Sequence, residues 1–129
     1  MDNIENEQKR TRVLIVDDAE ILRKILRDLL EKSGYEVFEA VNGKEAVMNY
    51  PKIKPDIITM DVTMPEMDGL TAVKAIRKLD SKVKIIMITA LGTANTVKDA
   101  IIAGANNFIV KPYKANKVLT IIKKVLESK

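Results

Sequence analysis

Acidic residues stand at the ends of two apolar runs in this sequence. The run VLIV at 13–16 is followed at once by Asp17 and Asp18, and the run IITM at 57–60 is followed by Asp61. Clustered carboxylates repel one another and stay ionised only if a positive charge joins them. A hard divalent cation such as Mg²⁺, which binds oxygen ligands, would supply that charge. The acidic residues therefore indicate a magnesium site, provided that the fold brings them together.

Two further polar residues end later apolar runs. Thr89 closes the run KIIMIT, and Lys111 directly follows NNFIV. A lysine and a hydroxyl beside a magnesium ion would bind a phosphoryl group and neutralise the charge on its oxygens. Carboxylates form aspartyl phosphates, so Asp61 would be the nucleophile of such a site. The combination predicts phosphoryl transfer to Asp61.

Each of these residues also has a simpler interpretation. Asp18 could cap the N-terminus of the helix that follows it. Asp61 could belong to a turn, Lys111 could be a solvated strand end, and Thr89 alone indicates nothing. Polar residues at the ends of four strands that face one crevice nevertheless favour the phosphoryl site.

The elements that must position these residues alternate between strands and helices. The sequence predicts strands at 12–17, 36–40, 56–61, 82–89 and 106–110. Helices are predicted at 20–32, 43–50, 70–79, 94–103 and 116–127. Such alternation favours an α/β fold, a flavodoxin-like (βα)5 doubly wound parallel sheet in strand order 2-1-3-4-5 within a single domain. The first and third strands are then neighbours, and their carboxyl ends bring the three carboxylates into one crevice.

Apolar periodicity predicts which side of each helix is buried. The first helix would bury Ile21, Leu22, Ile25, Leu26, Leu29 and Leu30. The third would bury Val73, Ile76 and Leu79, and the fifth Val118, Leu119, Ile122, Val125 and Leu126. Gly34 would end the first helix, and the second would end before Pro51. The second strand, which is short and more polar than the others, is expected at an edge of the sheet.

The composition excludes several classes of protein. The chain contains no cysteine and no histidine, which rules out disulfides, thiolate metal sites and phosphohistidine chemistry within it. A net charge of +4 comes from scattered lysines without interleaved aromatics, so DNA binding is not favoured. No apolar run approaches the ~20 residues that span a bilayer. Residues 1–10 are interpreted as a flexible lead-in and not as a signal peptide, and we expect a cytoplasmic protein.

Four segments of the sequence resemble the receiver domain of two-component response regulators. They are VLIVDD, PDIITMDVTMPEMDG, IIMITA and GANNFIVKPY, and the resemblance extends over about residues 11–128. It implies that Asp61 is the phosphoaccepting aspartate. It also implies that Asp17 and Asp18 hold Mg²⁺ together with Asp61, and that the backbone carbonyl of Thr63 is a further metal ligand.

The resemblance further implies how phosphorylation would change the protein. Thr89 resembles the switch hydroxyl that moves towards the phosphoryl group, and Lys111 resembles the phosphate-binding lysine, whose peptide bond to Pro112 is expected to be cis. Phe108 takes the aromatic switch position, where many members of the family have tyrosine. The output face of the family consists of the fourth helix, the fifth strand and the fifth helix. In this chain that face would carry Phe108 and Tyr113 within a basic rim of Lys98, Lys114 and Lys117.

A basic rim around aromatic side chains suggests an acidic or amphipathic partner segment, although lysines that only keep the surface soluble would give the same pattern.

The receiver domain would span 11–129, and the sequence ends with the fifth helix, so we expect output through the receiver surface. The protein would be a signalling switch that catalyses only its own phosphorylation and dephosphorylation. A sensor histidine kinase would phosphorylate it. The protein itself would be a monomer or a weak phosphorylation-dependent dimer. Two functions fit: a stand-alone CheY-like chemotaxis regulator, which is preferred, and a phosphorelay intermediate that serves a histidine phosphotransfer protein.

Overall fold

A computed structural model describes residues 10–62, 68–90 and 94–128 of the protein, with the side chains of 94–96 excepted. The strands are β1 (Arg12–Val16), β2 (Glu36–Ala40), β3 (Ile57–Asp61), β4 (Lys84–Thr89) and β5 (Asn107–Val110). The helices are α1 (Glu20–Lys32), α2 (Gly43–Ile53), α3 (Gly69–Leu79), α4 (Ala94–Ala103) and α5 (Ala115–Glu127). Within the described part of the chain, none of these helices is long and apolar enough to cross a membrane. Of the predicted N-terminal lead-in, only residue 10 is described.

The five strands form one parallel sheet in the order β2-β1-β3-β4-β5, which confirms the predicted fold. All five residues of β3 are buried, as expected for a central strand covered on both faces. The more polar β2 lies at an edge, also as predicted. Because all the strands are parallel, their carboxyl ends meet along one edge of the sheet, where the predicted site residues follow them.

The sheet separates two apolar layers. Alternate residues of β1 contact opposite layers, Leu14 on one side and Val13 on the other. The first layer, which we call the α2/α3/α4 layer, includes Ala46 and Tyr50 of α2, Val73 and Ile76 of α3, and Ala100 and Ala103 of α4. The second, the α1/α5 layer, includes Leu26 and Leu30 of α1 and Val118, Ile122 and Val125 of α5.

The predicted end of the second helix is wrong. We expected it to stop before Pro51, but α2 continues through the proline to Ile53 and ends at the left-handed residue Lys54. Pro51 lies in the last turn, so only a single helical hydrogen bond is lost. Ile53 packs against the α2/α3/α4 layer and Tyr50 is buried in it. Burial of these two side chains favours the extra turn and offsets the missing bond.

Three predicted core positions are also wrong. Ile21 is 71% exposed and Ile25 48%, whereas Leu26 and Leu30 are buried. At about 100° per residue, Ile21 lies about 140° around the helix from Leu26, outside the face that contacts the sheet. Leu79, the last residue of α3, is 54% exposed because it lies about 120° around from Val73.

One guanidinium ties several elements together at the edge of the sheet opposite the carboxyl ends. Arg77 of α3 donates hydrogen bonds to the carbonyl of Gly104 from Nε at 3.0 Å and from Nη2 at 2.8 Å. It also donates to the carbonyl of Val83 and to Oδ1 of Asn106. Asn106 Oδ1 accepts a further bond from the backbone N–H of Ile85. The end of α4, the start of β4 and the start of β5 are therefore fixed to α3 here.

A hydrogen bond between Tyr50 and Asp80 joins α2 to the end of α3. The Tyr50 hydroxyl donates to Oδ2 of Asp80 over 2.6 Å, and the backbone N–H of Lys82 donates to Oδ1 over 2.8 Å. These bonds, with that from Tyr50 the largest cause, hold the pKa of the Asp80 carboxyl below its usual value. Burial and the adjacent carboxylate raise the pKa of Tyr50. The pair is therefore an ionised carboxylate and a neutral phenol at physiological pH.

Candidate functional site

The three predicted carboxylates lie together at the carboxyl ends of β1 and β3. One carboxylate oxygen from each of Asp17, Asp18 and Asp61 lies within 4.8 Å of the other two. Asp61 is the last residue of β3 and Asp17 directly follows β1; both are buried, whereas Asp18 is exposed. The neighbouring positions of β1 and β3 in the sheet bring these residues together, as the sequence predicts.

The turn after β1 leaves Asp18 outside the N-terminal cap of α1. The cap of α1 is Ala19, which offers no side-chain hydrogen bond. Asp17 Oδ1 accepts a hydrogen bond from the backbone N–H of Ala19 at 2.9 Å. The backbone N–H of Asp17 donates to the carbonyl of Ala40 on β2. The simpler interpretation of Asp18 as a cap is therefore wrong.

The electrostatics of the cluster favour a cation. Burial is the main cause that raises the pKa of Asp17, and the charges of Asp61 and Asp18 raise it further. The backbone hydrogen bond from Ala19 and the charge of Lys111 act in the opposite direction but do not cancel the shift. A divalent cation among these oxygens would relieve the repulsion, and hard oxygen ligands of this kind suit Mg²⁺. The donor set therefore fits magnesium.

Lys111 and Thr89 join the acidic cluster from β5 and β4. Lys111 Nζ lies 3.0 Å from Asp61 Oδ2, and its backbone N–H donates to the carbonyl of Thr89 at 2.7 Å. In the register of the sheet Asp61 lies beside Ile88, one residue before the buried Thr89. The Lys111–Pro112 bond is cis, as the resemblance implied. The two residues thus reach the same edge as the three carboxylates.

The first residue of α3, Gly69, lies beside the end of β3. The backbone N–H of Gly69 donates to the carbonyl of Val62 at 2.9 Å, and Asp68 caps α3 through the N–H of Thr71. A Cβ atom on Gly69 would collide with the carbonyl oxygen of Asp61 and lie 2.8 Å from Cα of Val62. Gly69 closes the segment PDIITMDVTMPEMDG that resembles the receiver family, but its close approach to β3 was not predicted from the sequence.

One predicted metal ligand cannot be compared with the structure. Thr63, whose backbone carbonyl the resemblance assigns to the metal, falls in 63–67, outside the described residues. The loop after Thr89 is described only as far as Ala90 and again from the backbone of Ala94.

The structure places the two aromatic residues of the predicted output face against different layers. Phe108 is half-buried and packs against the α2/α3/α4 layer. Tyr113 packs against the α1/α5 layer and lines a small apolar pocket with Leu22, Ala90, Lys111 and Pro112. Its hydroxyl is buried and has no hydrogen-bond partner among the residues that the structure describes. Burial, followed by the charges of Asp17 and Asp61, raises the pKa of Tyr113 to about 12. Tyr113 therefore lies near enough to the acidic site to sense its charges, and it packs on the opposite side of the sheet from Phe108.

Apolar side chains on α4 and β5 are a feature that the sequence analysis did not single out. Ile101 and Ile102 of α4 and Val110 of β5 are exposed, as is Lys98 on the same helix. The helical period around Ile101 and Ile102 was too weak to separate a core face from a surface one, and Val110 ends a short apolar run whose exposed positions the sequence does not distinguish. Together they make the predicted output face more apolar than its lysines suggested.

Known proteins resemble this chain over nearly its whole length. Residues 13–123 match the family model of the response regulator receiver domain. The chemotaxis protein CheY of Bacillus subtilis (strain 168) is 53% identical over 116 residues, which cover 89% of this chain and 97% of that protein. The CheY protein of Thermotoga maritima is 53% identical over 115 residues, covering 88% and 96% respectively.

Solved structures agree with these sequence relationships. A chain of the CheX–CheY–BeF3–Mg²⁺ complex from Borrelia burgdorferi has a TM-score of 0.86 and 40% identity, covering 92% of this chain and 90% of that one. The chemotaxis protein CheY4 of Vibrio cholerae has a TM-score of 0.86 and 32% identity, covering 90% and 98%. This chain therefore belongs to the response regulator receiver domain family, as a CheY-like member of it.

Proposed function

We propose that this response regulator accepts a phosphoryl group from a histidine kinase onto Asp61 in a Mg²⁺-dependent reaction, and that phosphorylation switches its binding to a target protein in chemotaxis signalling. The observation that carries this proposal is the position of Asp61. Its buried carboxylate lies within the acidic cluster and 3.0 Å from Lys111 Nζ. Similarity to CheY proteins supports the chemotaxis assignment.

Each residue has a role that follows from its position. An oxygen of Asp61 forms a bond to phosphorus as the bond between phosphorus and the donor's histidine nitrogen breaks. Lys111 neutralises charge on the phosphoryl oxygens, and the Thr89 hydroxyl donates a hydrogen bond to one of them. Asp17, Asp18 and Asp61 would hold Mg²⁺, with the carbonyl of Thr63 as the remaining predicted protein ligand. When bound, the metal would offset the negative charge of the phosphoryl group.

Output would arise through the surface formed by α4, β5 and α5. Phosphorylation adds roughly −1.5 to −2 charges beside Thr89, which lies at the start of the connection to α4. That connection leads to the exposed Ile101, Ile102 and Lys98 of α4. Apolar side chains beside an exposed lysine suit an amphipathic partner segment with acidic residues. Phe108, which has no hydroxyl, would contribute only packing to the switch.

We further assign the receiver domain to residues 11–129, with 1–10 as a flexible lead-in, and place the protein in the cytoplasm. It would act as a monomer or a weak phosphorylation-dependent dimer. Its only reactions would be phosphorylation and dephosphorylation of its own Asp61. Sensor histidine kinases and the target protein are its proposed partners, and DNA is not among them.

The phosphoacceptor is tested with Asp61→Asn and a small phosphodonor such as acetyl phosphate. The substitution is nearly isosteric, so the variant should fold and bind no phosphoryl group, as measured by intact mass with and without Mg²⁺. Asp99→Asn, on the exposed side of α4, is the matched control and should be labelled like the natural protein. Labelling of Asp61→Asn at a neighbouring residue, with normal output, would show that Asp61 is not the phosphoacceptor.

Partner capture separates a chemotaxis regulator from a phosphorelay intermediate. The protein is immobilised with Mg²⁺ and beryllofluoride, which stands in for the phosphoryl group on Asp61, and Asp61→Asn is run beside it. Retention of a motor or adaptor protein by the activated form alone supports the chemotaxis function. Retention of only a histidine-bearing phosphotransfer protein would instead identify a relay intermediate.

A further inference from the structure

One arginine connects the turn that carries the acidic pair to the edge of the sheet. Arg23, in the first turn of α1, donates from Nη1 to the backbone carbonyl of Asp17 over 2.7 Å. The same guanidinium donates from Nε to Oε1 of Glu39 over 2.8 Å. The Arg23 side chain is only 11% exposed. Glu39 lies on β2, paired in register with Ile15 of β1. A single planar group therefore spans the backbone after β1 and a side chain of the edge strand.

Glu39 is itself fixed on both oxygens. Arg27, one turn further along α1, donates from Nη1 to Oε2 of Glu39 over 2.6 Å, and its Nε pairs with Glu31 at 3.2 Å. Burial acts to raise the pKa of Glu39, but hydrogen bonds from Arg27 and Arg23 outweigh it and hold the pKa below its usual value. Glu39 is therefore an ionised acceptor for Arg23 at physiological pH.

The Arg23 contact determines how the chain leaves β1. The carbonyl of Asp17 and the backbone N–H of Asp18 belong to one rigid peptide plane. The N–H of Asp17 is bonded to the carbonyl of Ala40, and its carboxylate to the N–H of Ala19. The carbonyl is the remaining backbone group of Asp17, and Arg23 binds it. These contacts hold the peptide plane that leads from Asp17 into Asp18.

We propose that Arg23 is a positioning residue for the acidic pair, which sets the separation of the Asp17 and Asp18 carboxylates and thereby the affinity of the site for a divalent cation. This inference rests on the proposed magnesium site. Residues that orient metal ligands through hydrogen bonds contribute to metal affinity without touching the ion. Among the described residues of the site, Arg23 contacts the backbone carbonyl of Asp17 and none of the three carboxylates.

The test compares two arginine variants that conserve charge. Lysine keeps the positive charge of Arg23 but lacks the planar fork, so it cannot bind Glu39 and the Asp17 carbonyl together. Arg23→Lys should weaken Mg²⁺ binding about tenfold in titration calorimetry, the lower end of what such residues contribute. Arg27→Lys is the matched control, since Arg27 also binds Glu39 but makes no contact with the Asp17 carbonyl. Its Mg²⁺ affinity should equal that of the natural protein.

Thermal unfolding without metal distinguishes positioning from general stability. Both variants lose one guanidinium contact to Glu39, so both should unfold at similarly lowered temperatures, whereas only Arg23→Lys should lose Mg²⁺ affinity. Equal losses of affinity in the two variants, or natural affinity in Arg23→Lys, would overturn the inference. Should Arg23→Lys fail to fold, Glu39→Gln weakens the hold on Arg23 without altering the arginine, because the charge of the acceptor is removed. Glu31→Gln removes the same charge from a side chain that, in the described part of the protein, pairs with Arg27 and not with Arg23. Glu39→Gln should weaken Mg²⁺ binding more than Glu31→Gln does.

The same titrations separate this inference from the proposed function. Asp18→Asn should abolish measurable Mg²⁺ binding. If the natural protein bound no Mg²⁺, both the magnesium site and the role of Arg23 would be refuted. If the natural protein bound Mg²⁺ and Asp18→Asn did not, natural affinity in Arg23→Lys would refute the positioning role alone.

Discussion

Lys111 Nζ contacts Asp61 Oδ2 at 3.0 Å, although β4 lies between β3, which ends at Asp61, and β5, which Lys111 directly follows. The Asp61 side chain is 4% exposed and that of Lys111 25%. The lysine therefore lies over the carboxylate on its solvent side. It supplies part of the positive charge that the acidic cluster requires, and it would therefore compete with a metal ion bound there.

Removal of Lys111 should strengthen metal binding while it impairs signalling. Two unit charges about 4 Å apart interact by about 1 kcal/mol even in a water-like medium, and a divalent ion doubles this to about 2 kcal/mol, so Lys111→Met should bind Mg²⁺ about thirtyfold more tightly. Phosphorylated Lys111→Met should lose target binding, because its charge-assisted contact with the phosphoryl group is missing. Calorimetry and partner capture measure the two effects, with Lys74→Met on the exposed side of α3, away from the proposed output surface, as control. Unchanged Mg²⁺ affinity, or normal phosphorylation-dependent target binding, would contradict this role.

A methyl group at residue 69 should damage both the fold and the site. Alanine usually stabilises a helix relative to glycine, but in Gly69→Ala the Cβ would collide with the Asp61 carbonyl. Because the neighbour is backbone, the strand end must shift, at a cost of about 1–3 kcal/mol in unfolding free energy. Urea unfolding measures this cost, and intact mass after exposure to acetyl phosphate should show slower labelling of Asp61. An unfolding free energy at or above that of the natural protein would show that the connection relaxes freely.

The Tyr50–Asp80 hydrogen bond should give the stability a defined dependence on pH. The folded pKa of Asp80 is lowered, so the stabilisation is fully present above the unfolded value of about 3.9 and is lost as pH falls through the folded pKa. Tyr50→Phe should therefore cost about 1 kcal/mol at pH 7. Its difference from the natural protein should shrink below about pH 4 as Asp80 becomes protonated.

Urea unfolding at a series of pH values provides this measurement. Tyr35→Phe is the control, because within the described residues the Tyr35 hydroxyl donates no hydrogen bond to a carboxylate; burial is the main cause that raises its pKa, and the charge of Glu127 adds to it. A Tyr50→Phe difference that stays constant from pH 7 to strongly acidic conditions would show that the phenol stabilises the fold by packing alone.

Much of the fold was predictable because the strands are short apolar runs separated by amphipathic helices. The predicted strand order holds, and the ends of β1, β3, β4 and β5 bring together the polar residues that follow them in the sequence. The course of α2 through Pro51 was not predictable, because burial of Tyr50 and Ile53 in a layer formed by distant residues outweighs the local effect of proline.

The site was predictable in its charged residues and not in what supports them. Asp17 and Asp61 each follow an apolar run, whereas Arg23 and Glu39 are 16 residues apart and share no motif. Their contact depends on the pairing of β1 with β2. Gly69 is constrained only because the chain returns to the end of β3. Tyr113 lies beyond β5, where the alternation of a strand no longer tells which layer a side chain contacts.

The contacts of Arg77 fix the C-terminal end of α4 at Gly104, so a movement of this helix would pivot there. The residue that follows the helix is fixed to α3 by two hydrogen bonds from one guanidinium. A displacement of α4 relative to the sheet is then a rotation about that end, and its amplitude grows along the helix axis. At 1.5 Å per residue, Lys98 is about 9 Å from Gly104 and Ile102 about 3 Å. For a given rotation, α4 would therefore be displaced about three times as far at Lys98 as at Ile102, and a target that binds near Lys98 would meet the larger change.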